Sequence, residues 1–95
     1  MFGGNYLRIA GYKAKKVTIG AGSTVQVRDD GYQYIIVKNV GTNPAVIVND
    51  GETAGYSLAN GDKIELFFGN NEGLYVYSEA GTEVEVLEYS LDLVG

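Results

Sequence analysis

The chain has 95 residues, which is enough for one domain, and it contains neither cysteine nor histidine. Disulfide bonds, thiolate metal sites and histidine-dependent catalytic systems such as the Ser-His-Asp triad are therefore excluded. The net charge is −5, and five of the seven basic residues precede Asp29, whereas all 12 acidic residues lie from Asp29 onward. The part from Asp29 onward has two basic and 12 acidic residues and so carries −10 (2 − 12), which disfavours binding to nucleic acid.

The N-terminal segment, residues 1–16, is expected to be an extended arm that is ordered by what it touches. Leu7 and Ile9 alternate with more polar neighbours, and three glycines among the first 11 residues disfavour a helix. The segment lacks the apolar core of a secretory signal, so we expect synthesis in a cytoplasm. No apolar run reaches the roughly 18 residues of a transmembrane helix, and no membrane association is expected. We therefore divide the chain into this arm and a single β-sandwich domain, residues 17–95.

Alternation of apolar and polar residues with a period of two begins at Lys16 and predicts β-strands. Val17 and Ile19 precede a Gly-Ala-Gly turn, and Val25 and Val27 follow it. This arrangement predicts a first hairpin that is apolar on one face.

The segment Tyr34–Asp50 predicts a second, central β-hairpin. Two apolar, β-branched runs, Tyr34–Val37 and Ala45–Val48, flank a segment rich in turn formers, Lys38–Pro44. The first run is apolar on both faces, so we expect an internal segment or a second subunit to cover its outer side.

Two more strands are indicated in the second half of the chain. We expect Ile64, Leu66 and Phe68 to face inward in one of them. Leu74 and Val76 have the same expected orientation in the next strand, after a wide turn that is rich in glycine and asparagine.

The last strand changes phase. Val84 and Val86 are its first apolar residues, at even positions, whereas the later apolar residues occupy odd positions from Leu87 to Leu93. A shift of one residue exchanges the apolar face of a strand. Three interpretations remain open: a β-bulge near Val86–Leu87, a strand that leaves the core sheet to join another surface, and a short C-terminal helical turn.

These segments together predict an all-β fold. We expect a small antiparallel β-sandwich or jelly-roll-like barrel of about 7–9 short strands with an extended N-terminal arm. The 14 glycines fit frequent tight turns, and no window shows the apolar spacing of an amphipathic helix.

Groups that might carry chemistry are better explained as surface and turn residues. Glu83 and Glu85 share the solvent-facing side of a strand, which is typical of a solvated face rather than of a catalytic pair. The turn at 58–62 resembles the Gly-Asp turn of cupin-like barrels, but metal-dependent cupins bind their metal through histidines that this chain lacks. We expect no enzyme activity, no metal and no cofactor.

Tyr75 and Tyr77 protrude from one face of their strand. Exposed aromatic residues of this kind contact a partner protein, pair across strands on a half-exposed face, or stack on sugar rings. All three interpretations remain open at this stage.

Three runs, YIIVKNVGTNPAVIVND, GYSLANGDKIELFF and LYVYSEAGTEVEVLEYS, resemble small virion accessory proteins of tailed bacteriophages over about residues 34–90. That family includes capsid decoration (cement) proteins and modules of head or tail fibres. The resemblance implies a virion protein that binds the outer capsid surface and stabilises the head, with the major capsid protein or another virion protein as partner. The alternative is a carbohydrate- or receptor-binding module of a phage fibre or tail.

The candidate partner-binding residues belong to the basic arm, the exposed tyrosine pair and the C-terminal strand. They are Arg8, Lys13, Lys15, Lys16, Tyr75, Tyr77, Leu87, Tyr89, Leu91 and Leu93. Because the apolar outer surfaces would otherwise remain in water, a homo-oligomer is expected, and a trimer is favoured over a dimer.

Overall fold

A computed structural model describes residues 6–94 of the chain, and these residues form eight β-strands and no helix. The strand bounds follow the period-two alternation of the sequence closely. The strands are β1 (Tyr6–Ile19), β2 (Ser23–Gln26), β3 (Tyr34–Asn39), β4 (Ala45–Val48), β5 (Tyr56–Leu58), β6 (Lys63–Phe67), β7 (Tyr75–Ser78) and β8 (Thr82–Val94).

The strands form two four-stranded antiparallel sheets, with the orders β1-β8-β3-β6 and β2-β7-β4-β5. Consecutive strands alternate between the two sheets, except that β4 and β5 are paired with each other. This order is that of a jelly roll, in which the chain winds as a double strand around one core. The predicted all-β, jelly-roll-like fold is confirmed.

Both predicted hairpins are wrong. β1 pairs with β8 and β2 pairs with β7, so Val17–Ile19 and Val25–Val27 lie in different sheets. β3 likewise pairs with β6 and β8, whereas β4 pairs with β5 and β7. The turn residues were identified correctly, but these turns carry the chain from one sheet to the other and do not reverse it within a sheet.

The core lies between the two sheets. The predicted inward positions Leu74, Val76, Val84 and Val86 are all buried, and Ile64, Leu66 and Phe68 pack against the core from its margin. The fully buried apolar side chains have a relative exposure of 2% or less and come from both sheets: Ile19, Val27, Ile35, Val37, Ala45, Leu58, Val76, Val84 and Val86.

A buried asparagine holds the loops together at one end of the sandwich. The Asn39 side-chain amide donates to the carbonyls of Asn43 and Leu58, both at 2.9 Å. Its Oδ1 accepts from the Gly41 amide at 3.1 Å and from the Thr82 hydroxyl at 2.8 Å. Since every polar atom of this side chain is paired, Asn39 joins three loops without an unpaired buried polar atom.

β1 and β8 continue beyond the sandwich as a two-stranded ribbon, which we define as residues 6–11 and 90–94. The last β8 residue paired with β3 is Tyr89, opposite Tyr34, whereas pairing with β1 runs on to Val94. The radius of gyration is 15.1 Å, compared with about 12 Å expected for a compact domain of this length. The protein is therefore elongated along these two strands.

From residue 6 onward the N-terminal segment is extended, and it is a strand ordered by its pairing with β8. Residues 6–16 belong to β1 and pair with β8, so the predicted boundary at residue 16 falls inside a strand. Residues 1–5 of the predicted arm lie outside the described residues.

The phase change of β8 has a different origin from a bulge or a helical turn in that strand. β8 runs without interruption from Thr82 to Val94, and the register shift lies in its partner, between Ile9 and Gly11 of β1. Beyond Val86, the core-facing position is taken by Glu88, which is completely buried, and the apolar residues lie on the outer face. Departure from the core sheet does not account for the phase change either, because β8 is still paired with β1 and β3 from Leu87 to Tyr89; its C-terminal part leaves β3 only after Tyr89 and stays paired with β1.

Candidate interaction surface

The outer face of the β1-β8-β3-β6 sheet carries a continuous band of apolar side chains that extends onto the ribbon. We call this band the apolar strip. Side chains alternate between the two faces of a sheet along each strand, and the members of the strip lie on the face turned away from the core. They are Leu7, Ile9, Tyr12, Ala14, Tyr34, Ile36, Phe67, Leu87, Tyr89, Leu91 and Leu93.

Four aromatic side chains cross the sheet in one row. Tyr12 lies opposite Tyr89, Tyr89 opposite Tyr34, and Tyr34 opposite Phe67. The rings of Tyr34 and Tyr89 are stacked, with centroids 4.6 Å apart. At the two ends of the row, Tyr12 and Phe67 have exposed fractions of 74% and 60%. A row with half-buried inner and exposed outer rings offers a partner a flat aromatic surface.

The bulge in β1 aligns the two parts of the apolar strip. Tyr12 and Ala14 occupy even positions, whereas Leu7 and Ile9 occupy odd positions. Because β1 gains one residue between Ile9 and Gly11, all four face the same side as their β8 partners. Without the bulge, Leu7 and Ile9 would lie on the opposite face of the ribbon.

A trough of about 490 Å³ lies in the apolar strip where β1, β8 and β3 run side by side. Ala14, Leu87 and Ile36 stand in register across these strands, and Ala14 is much smaller than its neighbours. The next row toward the sandwich end is charged and borders the trough with Lys16, Glu85 and Lys38. The trough is thus apolar at its base and charged along one side.

The opposite face of the ribbon and its base are polar. Arg8 and Asp92 pair across the ribbon at 3.9 Å, and Gly11 lies opposite Ser90. Where the ribbon joins the sandwich, the Lys15 ammonium lies 2.9 Å from Asp29 and 3.1 Å from Glu88. Glu88 also accepts a hydrogen bond of 2.7 Å from the Asp29 backbone amide. We call Lys13, Lys15, Asp29 and Glu88 the charged cluster.

The charged cluster fixes the base of the ribbon to the loop after β2. Lys13 and Lys15 both donate to Oδ2 of Asp29, at 2.7 and 2.9 Å. These hydrogen bonds lower the pKa of Asp29 from its ordinary 3.8 to about 2, and the same contact raises the pKa of Lys13 above its ordinary value. Asp29 therefore stays ionised at neutral pH, and the charged cluster closes the open end of the sandwich with paired charges.

The structure divides the sequence-predicted binding residues among several surfaces. Leu87, Tyr89, Leu91 and Leu93 belong to the apolar strip, and Lys16 borders its trough. Tyr75 and Tyr77 lie half-buried on β7 in the other sheet, where they face neighbours on β2 and β4.

Three of the four basic residues of the predicted arm have partners within the chain. Arg8 pairs with Asp92, Lys13 with Asp29, and Lys15 with both Asp29 and Glu88. The uneven charge of the sequence is therefore largely compensated where β1 passes the Asp29 loop and β8.

Sequence reasoning missed Tyr12, Leu7 and Ile9 as members of one surface. The alternation of Leu7 and Ile9 was visible, but their alignment with Tyr12 depends on a bulge that no local residue pattern specifies. The two-sided apolar character of Tyr34–Val37 was the available signal for the strip, and Ile36 does lie on the outer face.

Among residues 6–94, no group of three or more Asp or Glu side chains has an arrangement that would hold a metal ion. Within the same range, no helix is long and apolar enough to cross a membrane.

No protein-family model matches the chain, and no curated protein matches it in sequence. In structure, the chain is similar to a de novo designed double-stranded β-helix that was solved by solution NMR. The TM-score is 0.56 and the identity 15%, over 86% of this chain and 99% of the designed one. This likeness shows the fold: the protein has a double-stranded β-helix, the same winding as the jelly-roll strand order described above.

Proposed function

We propose that the protein is a non-enzymatic structural protein of a virion, acting as a capsid decoration (cement) protein that binds the outer capsid surface and stabilises the head. The observation that carries the proposal is the apolar strip, which leaves Leu7, Ile9 and Leu93 with exposed fractions of 60%, 57% and 65%. A surface of this kind in a small chain marks a protein–protein contact. The sequence resemblance to virion accessory proteins is the reason for proposing a capsid as the partner.

The contact pattern also changes how attachment is expected to depend on salt. Lys13 and Lys15 are engaged within the chain, so they are poor candidates for binding an acidic capsid surface. Apolar contacts are not screened by ions, whereas exposed ion pairs are. Attachment through the apolar strip should therefore survive raised salt concentration.

The test is co-sedimentation of the purified protein with capsids that lack it, assembled from the major capsid protein encoded in the same genome. We expect saturable binding that Leu93→Glu reduces strongly. Tyr56→Glu is the matched control, because Tyr56 is 63% exposed and lies on β5 of the other sheet. Absence of the wild-type protein from the capsid fractions would contradict a decoration role.

A second candidate function is carbohydrate binding, as in a receptor-binding module of a phage fibre or tail. The aromatic row Tyr12–Tyr89–Tyr34–Phe67 supports it, since flat aromatic surfaces stack on sugar rings. A carboxylate lies nearby, because the Tyr34 hydroxyl donates to Glu65 at 3.2 Å, and polar groups beside aromatic rings are what sugar hydroxyls require.

A glycan array distinguishes this candidate from the first. Reproducible binding that is lost in Tyr12→Ala and retained in Tyr75→Ala would support a sugar site on the aromatic row. The second variant changes a tyrosine on the other sheet and serves as the control. An array without reproducible hits would contradict carbohydrate binding and favour protein contacts at the aromatic row.

A further inference from the structure

The two ends of the apolar strip have complementary shapes. At the ribbon end, Leu7 and Leu93 lie opposite each other and protrude from a sheet that is only two strands wide. At the sandwich end, the trough at Ala14 and Leu87 is a depression of about 490 Å³. One end of the strip is therefore a projection, and the other end is a depression that can accommodate a projection.

The spacing of these two ends is reciprocal. Leu93 and Leu87 are six residues apart on β8, which corresponds to about 20 Å along a strand. Consider a second copy with its strands antiparallel to the first, related by a two-fold axis that runs across the strands between the two faces. Leu93 of each copy then meets Leu87 of the other, and Leu7 meets Ala14. In such an isologous contact, each end of each strip is covered by the opposite end of the other strip.

Charge opposes a second copy less at this surface than elsewhere on the protein. The protein carries a net charge of −5, so two copies repel each other over most of their surfaces. The border of the trough is the exception, because Lys16, Glu85 and Lys38 alternate in sign along one row. On the ribbon, Arg8 and Asp92 lie on the face opposite the strip. The contact therefore buries no unpaired charge from the ribbon.

The area of the strip is adequate for a stable pair. Its four rows of side chains have a flat footprint of about 350 Å² per copy, from the usual strand spacing and side-chain repeat. The relief of the side chains adds to this footprint. A standard interface buries about 800 Å² per partner, so the apolar strip would form most of its core.

Pairing through the exposed edge of β1 is a less suitable route to the same assembly. β1 is an edge strand of its sheet, but it carries Lys13, Lys15 and Lys16 and the bulge between Ile9 and Gly11. Lysines and bulges are devices that prevent another strand from adding to an edge. The face of the sheet, not its edge, is the surface left open to a partner.

We infer that the apolar strip is occupied by a second copy of this chain, with the ribbon of each copy packed in the trough of the other. The contact is two-fold symmetric and forms a dimer, in place of the trimer expected from the sequence. This inference deepens the proposed structural role at the same surface: a second copy covers the apolar strip in the free protein, and the capsid replaces that copy on attachment.

The first test measures the mass of the full chain by light scattering and sedimentation. We expect a dimer for the wild type and for the control Tyr56→Glu. Leu93→Glu should weaken the dimer about 100-fold, because a two-fold interface carries the change twice. Circular dichroism should show an unchanged fold for this variant. A wild-type chain that is monomeric at high concentration would overturn the inference.

The second test uses the absence of native cysteine from the sequence. The single variants Leu87→Cys and Leu93→Cys are mixed and treated with a thiol-specific cross-linker that spans about 10 Å, the usual distance between facing sheets. The two positions face each other in the proposed dimer, whereas like positions are offset by about 20 Å along the strands, so we expect cross-links between the two variants and little within either variant alone. Equal cross-linking of each variant with itself would contradict the reciprocal arrangement. A ring trimer would give the mixed cross-link too, and its mass would overturn the two-fold axis.

The proposed function and this inference fail in different experiments. A protein that decorates capsids while remaining a monomer in solution and on the capsid would refute the dimer and leave the decoration role intact. A dimer with the predicted cross-link that never sediments with capsids would refute decoration and leave the interface standing.

Discussion

The two halves of β8 place their apolar side chains on opposite faces of the strand. From Thr82 to Val86, the apolar side chains face the β2-β7-β4-β5 sheet and are buried, with Val84 and Val86 exposed by 0% and 2%. From Leu87 onward, the apolar side chains face outward, and the inner position next to the core is held by the carboxylate of Glu88.

The difference follows from what lies opposite each half. The first half is covered by the second sheet, whereas that sheet ends near β2 Gln26, where the Asp29 loop begins. Beyond that point an inward apolar side chain would face charged groups, and the sequence places Glu88 and Ser90 there. The apolar residues move to the outer face, where only another molecule can cover them.

The largest effect is expected from adjacent substitutions on opposite faces of β8. Val86→Asp places an unpaired carboxylate in the core and should destabilise the protein by more than about 4 kcal/mol, leaving it unfolded. Leu87→Asp, one residue along, should change the stability of the isolated chain by less than about 1 kcal/mol. Chemical denaturation under dilute conditions measures both. Similar losses for the two variants would show that the outer face is covered within the chain.

A smaller loss is expected when the charged cluster is broken. Glu88→Ala removes the buried partner of Lys15 and the acceptor of the Asp29 amide, and it should destabilise the fold by about 3 kcal/mol. The control is Glu85→Ala, an exposed carboxylate on the same strand, which should stay within about 0.5 kcal/mol of the wild type. A neutral Glu88→Ala would mean that the ribbon does not need this cluster at its base.

The other end of β8 offers a matched uncharged comparison. Asn39→Ala leaves the Thr82 hydroxyl and the Leu58 carbonyl without their buried partner and should destabilise the fold by about 2 kcal/mol. Asn60→Ala is the control, because the Asn60 side chain makes an exposed hydrogen bond to the Gly41 carbonyl. Equal effects of the two substitutions would contradict the role of Asn39 as the clamp of this end.

The smallest effect is a pH dependence that belongs to the base of the ribbon. The pKa of Asp29 is about 2 in the folded chain and 3.8 ordinarily, so its stabilising contribution is complete above about pH 4. The contribution is lost as the pH falls toward 2, when the carboxylate is protonated. Thermal melting across this range should show a loss of stability that is smaller in Asp29→Asn. The exposed turn variant Asp50→Asn should melt like the wild type at each pH.

Part of the candidate surface was predictable from the residues. The phase change between Val86 and Leu87 and the two-sided apolar run at Tyr34–Val37 both indicated that an apolar face is turned away from the core. Lys13 and Lys15 looked equally suited to a partner, and only the approach of the Asp29 loop shows that they are already paired. Long-range charge pairing of this kind leaves no local pattern in a sequence.

The sequence by itself determined the β-class of the fold, the positions of most strands and turns, and the inward residues from Val17 to Val86, because alternation with a period of two is a local property of an extended chain. Only the tertiary structure decided which strands pair, since a turn of a few residues can reverse a strand within a sheet or lead it across to the other sheet. The alignment of Leu7, Ile9 and Tyr12 on one face was decided in the same way, by the register of β1 against a strand more than 70 residues away in the sequence.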